Sequence, residues 1–194
     1  MNFLAHLYLS GNNIKITTGN FMADAIKGNK YLTFEDEIQK GILLHRAIDY
    51  YTDHHALVKL SKKRLHQRYN HFNGIIIDIF YDHFLAKNWS HYSAIPLAIY
   101  AHEIYSHLEA NSHLFPPQVK RMLYFMKLQN WLVSYQDTTE IKKVLTQMSL
   151  RSKHQSYMHL ASEDLILHYN EFENDFQQFF PDIIAFTNLK IKQL

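Results

Sequence analysis

The amino-acid sequence predicts an all-α protein. Apolar residues recur at helical spacing along almost the whole chain, and no stretch shows the strict alternation that is typical of a half-buried strand. Five Gly and four Pro among 194 residues are too few for a turn-rich β fold. The length suits one domain, residues 1–194, built as a bundle of about eight to ten helices.

Turn signals separate the first three predicted helices. The Gly-Asn-Asn run at 11–13 ends the first helix, and Gly28 closes the second in the manner of a left-handed C-cap. Thr33, followed by Asp36, resembles an N-terminal cap for the third helix. The sequence therefore predicts three helices before residue 54, joined by short connections.

Two further dipeptides mark helix boundaries later in the chain. Asn73-Gly74 separates the fourth helix from the fifth, and Pro116-Pro117 opens the seventh. The predicted helices cover residues 2–9, 14–27, 34–53, 56–70, 74–87, 95–112, 117–134, 138–151, 155–179 and 182–192.

The composition excludes several classes of protein and leaves one unusual number. Without Cys the chain offers no disulfide, iron–sulfur cluster, thiolate zinc site or cysteine nucleophile. A formal charge of only +2 argues against a general nucleic-acid binder. The apolar N-terminus lacks the basic lead of a signal peptide, and no uninterrupted apolar run reaches about 18 residues, so we expect a cytoplasmic protein without a membrane span. The 14 His are many, and imidazoles titrate near neutral pH and bind metals.

The fifth predicted helix carries two acids on an apolar stripe. Ile75, Asp78, Asp82 and Leu85 fall within one sector of about 80° at the helical repeat. Two like charges one turn apart repel each other, and burying them without a partner is costly. Either a positive group faces them, which a neighbouring Arg or Lys would supply, or the stripe is exposed to solvent.

The third predicted helix has a similar anomaly. His45 and Asp49 are four residues apart on the face that also carries Ile38, Gly41 and Ile42. A His and an Asp at this spacing can point at one metal ion, but they can also form a buried hydrogen-bonded pair. Gly41 would permit the close approach of another helix or of a ligand.

The second predicted helix places Asn20, Asp24 and Lys27 on one side, and Asp82-His83 adds an imidazole to the fifth helix. A polar face alone is usually solvated surface. Three helices that each present a carboxylate favour a metal site, and Asp with His but no Cys suits Mg²⁺, Mn²⁺ or Fe rather than structural zinc.

The fourth predicted helix has a basic stripe formed by Lys59, Lys62, Lys63 and His66. Such a stripe is usually a solvated helix face. The alternative is a docking surface for an acidic partner, where these charges raise the rate of encounter.

Five segments in order resemble the acyl carrier protein phosphodiesterases, also called acyl-carrier-protein hydrolases, over essentially the whole chain. Any one segment would be weak, but the five together at the expected separations make a specific match. The segments are MNFLAHLYLS at 1–10, GNFMAD with the following KG at 19–28, GILLHRAIDYYTD at 41–53, DIFYDHFLAKNW at 78–89 and WLVSY at 131–135.

The resemblance implies an HD-like, all-helical phosphohydrolase that holds a divalent metal, typically Mn²⁺, with Mg²⁺ or Fe²⁺ as alternatives. The implied reaction cleaves the phosphodiester between the serine of holo-acyl carrier protein and 4′-phosphopantetheine, which gives apo-acyl carrier protein. The carrier is acidic, which fits the basic stripe. In this chain Asp precedes His at 82–83, whereas the broader HD pattern has the reverse order.

These observations assign expected roles to individual residues. His45, Asp49, Asp78 and Asp82 are expected to hold the metal, with Asp24 as a further ligand or as the general base. His83 would complete the metal site or protonate the leaving serine oxygen. The residues expected to bind the phosphate are His6, Asn20, Lys27 and Arg46.

Two other functions stay open at this point. One is an HD-like hydrolase of nucleotides or other small phosphoesters. The other is a non-catalytic helical adaptor that binds an acidic partner through residues 56–70, with its inner polar residues serving only as structural pairs. The adaptor would contain no metal.

Overall fold

Eleven α-helices make up most of the chain, and no β-strand occurs in the residues that the structure describes. The structure is a computed structural model that describes the backbone of residues 1–194 and every side chain except those of residues 66 and 67. The all-α prediction is confirmed. The helices are α1 (Phe3–Leu9), α2 (Ile14–Met22), α3 (Asp36–His54), α4 (Ala56–Tyr69), α5 (Asn73–Lys87), α6 (Leu97–Ala110), α7 (Pro117–Leu128), α8 (Trp131–Ser134), α9 (Thr138–Arg151), α10 (Ala161–Leu167) and α11 (Tyr169–Gln193).

Helices α5 and α11 form the centre of the hydrophobic core. Most of α5 is buried on all sides, which explains why its sequence is almost continuously apolar. Phe80 of α5 meets Phe172 edge to face with ring centroids 5.2 Å apart, and Phe84 stacks on Phe176 at 6.0 Å. Aromatic pairs of this kind add to the free energy gained by burying their area. Helices α1 and α4 each contact both members of this pair.

Helices α2 and α3 cross so closely that only glycine fits at the contact. A Cβ on Gly41 would lie 2.2 Å from the carbonyl oxygen of Ile16, and a Cβ on Gly19 would lie 2.2 Å from that of Ile38. Both distances are far below van der Waals contact. The expectation that Gly41 allows close approach of another helix is confirmed, and the contact brings the polar faces of α2 and α3 together.

The second helix is shorter than predicted. It ends at Met22 and continues as a single 3₁₀ turn, Ala23–Ala25, after which Ile26 is extended. The guanidinium of Arg46 donates to the carbonyl oxygens of Ile26 and Gly28 at 3.0 and 2.9 Å. Those carbonyls are therefore satisfied outside a helix, and residues 26–28 leave the helical path.

Two predicted helices near the C-terminal half have different boundaries. The helix expected at 117–134 is broken because Asn130 is left-handed, with φ 47° and ψ 51°, so α7 and the short α8 are separate. The helix expected at 155–179 is also wrong. Tyr157 is left-handed, with φ 53°, and α10 and α11 meet instead at His168.

Helix α11 runs through Pro181, where the sequence predicted a gap at residues 180–181. Proline removes one backbone N–H and normally kinks a helix. Here Phe179, Phe180 and Ile183 are all fully buried around it. The burial of that apolar face outweighs the missing hydrogen bond, so one helix of 25 residues replaces the two that were expected.

Among the described residues, no helix has both the length and the apolar character needed to cross a bilayer.

Candidate metal and phosphoester site

Side chains from the first three helices converge at one polar cluster. His6 comes from α1, Asn20 from α2, Asp24 from the 3₁₀ turn after α2, and His45 and Asp49 from α3. His6, Asn20 and His45 are buried, with 5%, 0% and 8% exposure. The glycine contact between α2 and α3 places Asn20 beside His45, and residues 45 and 49 share a face because they are one turn apart.

Asn20 determines the orientation of both imidazoles. Its amide nitrogen donates to the carbonyl oxygen of His6 at 3.0 Å and to Ser10 Oγ at 2.8 Å. The hydroxyl of Ser10 donates its hydrogen bond to the carbonyl oxygen of His6, 2.8 Å away, so towards Asn20 the Ser10 Oγ atom can only accept. The other end of the amide, Asn20 Oδ1, therefore faces the histidines. It lies 2.9 Å from Nδ1 of His6 and 2.9 Å from Nδ1 of His45.

Because Oδ1 is an acceptor, both Nδ1 atoms carry a proton, and the lone pairs of neutral rings lie on Nε2. Both Nε2 atoms face Asp49: that of His6 lies 3.1 Å from Oδ1 and that of His45 lies 3.2 Å from Oδ2. The two rings stack with centroids 4.1 Å apart. Lone pairs aimed at a carboxylate repel it, so this arrangement favours a positive charge between them, either a proton on an imidazole or a metal ion.

A proton can supply part of that positive charge. Burial alone would lower the pKa of His45, but the carboxylates of Asp24 and Asp49 outweigh burial and raise the pKa to about 9. Burial and the neighbouring His45 lower the pKa of His6. Burial would raise the pKa of Asp49, but the two imidazoles hold it well below its usual range. Without a metal, His45 thus carries the charge and His6 is neutral.

The cluster also fits a metal ion. His6, His45 and Asp49 each offer one ligand atom, and these atoms lie within 4.8 Å of one another. His45 Nε2 is buried and makes no hydrogen bond of good geometry to any side chain that the structure describes. Asp24 Oδ1 lies 3.4 Å from the same nitrogen. Two imidazoles held through their Nδ1–H groups, with one or two carboxylates, form a typical donor set for divalent transition metals.

A cavity of about 310 Å³ opens beside the cluster. Thr52 lies on its wall, and Thr52 Oγ1 is a second buried polar atom without a hydrogen-bond partner among the described residues. The volume lies at the lower end of the range for small-molecule sites. The residues that line it are Met1, Asn2, Phe3, His6, Leu7, Asn20, Phe21, Asp24, His45, Asp49, Thr52, Asp53 and Asp78.

The structure gives the two acids of α5 different partners from those expected. Asp78 lines the cavity, and its Oδ1 accepts a hydrogen bond from the α-amino group of Met1 at 2.8 Å. Asp82 is fully buried and accepts from the backbone N–H groups of Asn2, Leu4 and Ala5 at 3.2, 2.7 and 3.3 Å. Burial raises the pKa of Asp82 to about 7, although those N–H groups oppose the shift.

The carboxylate of Asp82 thus caps the N-terminus of α1, where unpaired N–H groups and the helix dipole favour a negative charge. The structure does not bring it into the cluster of ligand atoms formed by His6, His45 and Asp49. It anchors α1, the helix that carries His6.

His83 lies outside the cavity. Its Nδ1 lies 2.7 Å from the carbonyl oxygen of Tyr135, and its Nε2 lies 2.8 Å from the hydroxyl of Tyr169. Burial lowers the pKa of His83. Both ring nitrogens are therefore engaged on the side of α5 that faces α8 and α11, away from the cluster.

Of the four residues expected to bind phosphate, two lie in the cluster and two do not. His6 and Asn20 are inside the cluster. Arg46 uses its guanidinium on the backbone of residues 26–28 and lies over the ring of Tyr31, with 5.2 Å to the centroid. Lys27 is exposed and does not line the cavity.

Two lysines of the basic stripe, Lys59 and Lys63, are exposed. Lys62 is half-buried, and its Nζ lies 2.6 Å from Asp53, which lines the cavity. One end of the stripe is therefore next to the rim of the cavity. The side chain of residue 66 lies outside the described part of the chain.

His6 and Asn20 were expected to bind phosphate, whereas in the structure His6 is a candidate metal ligand and Asn20 hydrogen-bonds both imidazoles. The available signal was weak: His6 interrupts the apolar run of α1, and Asn20 follows the glycine of α2. Their partnership depends on how α1 and α2 cross α3, which residue spacing cannot show.

The fold and the cluster together define an all-helical protein with a His/Asp site of the kind that binds divalent metals. A family model described as "Acyl carrier protein phosphodiesterase" matches residues 1–183. The chain belongs to this family, as the resemblance in its sequence indicated.

Individual relatives agree with the family model. The chain is 34% identical to a protein from Photorhabdus laumondii named acyl carrier protein phosphodiesterase. The aligned region of 184 residues covers 93% of this chain and 92% of the relative. It is 32% identical to proteins of the same name from Pectobacterium atrosepticum, over the full length of both chains, and from Escherichia coli, over 98% and 99%. No solved structure matches.

Proposed function

We propose that the protein is a metal-dependent phosphodiesterase that removes 4′-phosphopantetheine from the serine of holo-acyl carrier protein and leaves apo-acyl carrier protein. The observation that carries this proposal is the orientation of His6 and His45 by Asn20, which aims two imidazole lone pairs at Asp49 beside an open cavity. The family and the names of its members supply the substrate.

The proposed ligands are His6, His45 and Asp49, with Asp24 next to them. This set differs from the expected one because Asp82 holds the N-terminus of α1 and Asp78 pairs with an amino group. Imidazole and carboxylate donors suit Mn²⁺ and Fe²⁺ better than Mg²⁺, which favours all-oxygen sites. We therefore propose Mn²⁺ as the ion, with Fe²⁺ and Mg²⁺ as alternatives.

The ion, when bound, neutralises phosphoryl oxygens and lowers the pKa of a water molecule. The chain supplies the remaining functions. An aspartate carboxyl is ionised at neutral pH. In the metal-free protein the hydrogen bond from His45 lowers the pKa of Asp24 further. The Asp24 side chain is 83% exposed at the site and is placed to accept the proton of the attacking water.

His83 is not placed to protonate the departing serine oxygen. Both of its ring nitrogens are hydrogen-bonded elsewhere. Lys27 and Arg46 are likewise not proposed as phosphate ligands, since one does not line the cavity and the other binds backbone carbonyls. We retain only His6 and Asn20 from the expected phosphate-binding group, with the changed roles given above.

Lys59 and Lys63, with the Lys62–Asp53 pair at the rim, are the proposed docking site for the acidic carrier. Exposed charges of this kind steer encounter more than they add to final affinity. A cytoplasmic location is proposed with the substrate. The relation to HD phosphohydrolases stays a prediction.

The direct test incubates the purified protein with holo-acyl carrier protein and Mn²⁺ and weighs the carrier by mass spectrometry. We expect conversion to the apo form, loss of conversion with EDTA, and recovery when Mn²⁺ is restored. A panel of nucleotides tests the rival enzyme function. An untouched carrier beside a cleaved nucleotide would overturn the substrate, and a protein that binds no metal and cleaves neither would favour the adaptor.

A further inference from the structure

A second cavity, of about 390 Å³, lies next to the proposed catalytic cavity. It is formed where the N-terminus of α1 meets α8 and α9. We call it the arm cavity. Its lining residues are Asn2, Phe3, Gln129, Trp131, Ser134, Tyr135, Glu140, Lys143, Val144, Gln147, Met148 and Arg151.

Asn2 and Phe3 belong to the walls of both cavities. Phe3 packs against Phe21 on the catalytic side and against Trp131 on the other, with ring centroids 6.2 Å apart in each case. Asn2 donates to the hydroxyl of Tyr135 at 3.0 Å. Asn2 and Phe3 thus form the boundary between the two cavities, and a chain-like ligand bound in the catalytic cavity has to cross only this boundary to reach the arm cavity.

The wall of the arm cavity combines apolar and hydrogen-bonding groups. Phe3, Trp131, Val144 and Met148 are partly buried and provide an apolar surface. Asn2, Ser134 and Gln147 provide donors and acceptors along the same wall. A site of this volume with a few placed polar groups is typical of small-molecule binding.

We propose that the arm cavity binds the pantetheine portion of the prosthetic group during cleavage. This inference rests on the proposed function. Pantetheine is a flexible chain with a branched dimethyl group, amides and a terminal thiol, so it needs alternating apolar contact and hydrogen bonding. A nucleotide presents a flat base and a ribose instead. Occupation of the arm cavity thus selects pantetheine-bearing phosphodiesters over other phosphodiesters that reach the metal.

The test begins with binding, which requires no catalysis. Trp131 lines the arm cavity, while Trp89, the second of the two Trp, is buried in the core. We expect pantetheine, which lacks the phosphate, to change the tryptophan fluorescence of the wild-type protein saturably, both with and without EDTA. Trp131→Phe should abolish the signal. No saturable change in the wild type would overturn the proposal.

Substitutions in α9 then test whether pantetheine binds in the arm cavity. Val144→Trp fills the cavity, and Met148→Ala removes part of its apolar wall. The matched control is Leu150→Trp, because Leu150 is on the same helix but 81% exposed and outside the cavity. Isothermal titration calorimetry measures binding to these variants, because an added Trp would alter the fluorescence signal of Trp131. We expect Val144→Trp to weaken pantetheine binding at least about tenfold and Met148→Ala by a few-fold, while Leu150→Trp binds as the wild type does. Circular dichroism and thermal melting show whether each variant is folded.

Kinetics separate this proposal from the proposed function. If the wild type cleaves holo-acyl carrier protein, Val144→Trp should raise KM more than it lowers kcat. Equal kinetics and equal pantetheine binding in Val144→Trp and the wild type would overturn the arm cavity while leaving the function intact. Saturable pantetheine binding in a protein that cleaves no carrier would support the cavity and overturn the function.

Discussion

A single amide, that of Asn20, connects the folding of this protein to its proposed chemistry. It accepts from two imidazoles with one oxygen, and its nitrogen is held by the backbone of α1 and by Ser10. Residues that fix the tautomer and direction of metal-binding histidines contribute to metal affinity without contacting the metal. In the proposed metal site, Asn20 therefore has a positioning role.

Replacing Asn20 with Ala should weaken Mn²⁺ binding by roughly 10- to 100-fold, as is usual for the loss of such a positioning group. Both imidazoles would then be free to rotate or to change tautomer. Isothermal titration with Mn²⁺ measures the change. Ser10→Ala is the control, since it removes only one of the bonds that hold the amide, and we expect a smaller loss. An Asn20→Ala protein with wild-type affinity would remove the positioning role.

Asp82 provides a second comparison at the scale of the residue. If it caps α1, Asp82→Ala leaves three N–H groups without their acceptor and should lower the free energy of unfolding by about 2–4 kcal/mol. Asp82→Asn keeps an acceptor oxygen and should bind Mn²⁺ with modest loss, whereas Asp49→Asn should lose most of its affinity. Denaturant unfolding and Mn²⁺ titration measure the two effects. The opposite order of affinities would restore Asp82 as a ligand.

The charge on His45 makes the metal-free protein sensitive to pH. Its pKa in the folded protein is about 9, above the unfolded value of 6.5, so its contribution to stability is complete below pH 6.5 and is lost as the pH rises towards 9. Asp24 is largely exposed, so screening reduces the effect to about 1–2 kcal/mol. We expect urea unfolding in EDTA to show this loss in the wild type and not in His45→Gln. If the free energy of unfolding changed with pH in the same way in both proteins, the proposed contribution of His45 would be contradicted.

At the scale of the element, the sequence predicted the helices and several of their ends but not every break. The left-handed Gly11 after α1, Pro117 at the start of α7 and the apolar periodicity are local signals, so they could be read directly. The caps predicted at Gly28 and Thr33 were wrong, because α2 ends at Met22 and Glu35 is the N-cap of α3. The breaks at Asn130 and His168 and the continuous helix through Pro181 depend on tertiary packing. At Pro181 the cost of the proline was outweighed by the burial of Phe179, Phe180 and Ile183.

In the candidate site, too, contacts within one helix could be predicted from the sequence and contacts between helices could not. His45 with Asp49 was visible because both lie on one helix. The pairing of His6 with His45 was not, because it depends on the contact between α2 and α3 and on the position of α1. The charges of Asp78 and Asp82 suggested ligands, yet their partners turned out to be an amino group and backbone N–H groups, which no side-chain pattern reveals.

The glycine contact between α2 and α3 gives a prediction at this scale. Gly41→Ala would place a Cβ 2.2 Å from a backbone oxygen, and the helices would have to separate. We expect a loss of about 1–3 kcal/mol in the free energy of unfolding, together with weaker Mn²⁺ binding. Thermal and urea unfolding measure the loss. Gly74→Ala is the control, since its Cβ would meet only the Lys62 side chain at 3.6 Å and should be tolerated.

At the scale of the whole molecule, the net charge is only +2, so attraction of an acidic partner depends on a local group of lysines such as that on α4. Lys62 of α4 pairs with Asp53 at the rim of the proposed catalytic cavity, the exposed Lys59 and Lys63 are on the same helix, and the arm cavity lies on the side of Phe3. The proposed substrate would thus be recognised at separate places: its acidic protein by α4, its phosphate by the cluster and its arm by α8 and α9.

A charge reversal tests the protein-docking part of this arrangement. Lys59→Glu combined with Lys63→Glu should raise KM for holo-acyl carrier protein several-fold, because the cationic face no longer attracts an acidic partner, and the effect should fall at high salt. The control is Lys192→Glu, an exposed lysine at the end of α11. Equal KM values for the double variant and the control would place docking elsewhere.

The most direct test of the proposed metal centre is pulsed electron paramagnetic resonance of the Mn²⁺-loaded protein. We predict nitrogen couplings from two imidazoles in the wild type and in His83→Gln, and from one imidazole in His6→Gln and in His45→Gln. A wild-type spectrum without imidazole nitrogen, or a His6→Gln spectrum that keeps both couplings, would contradict the account.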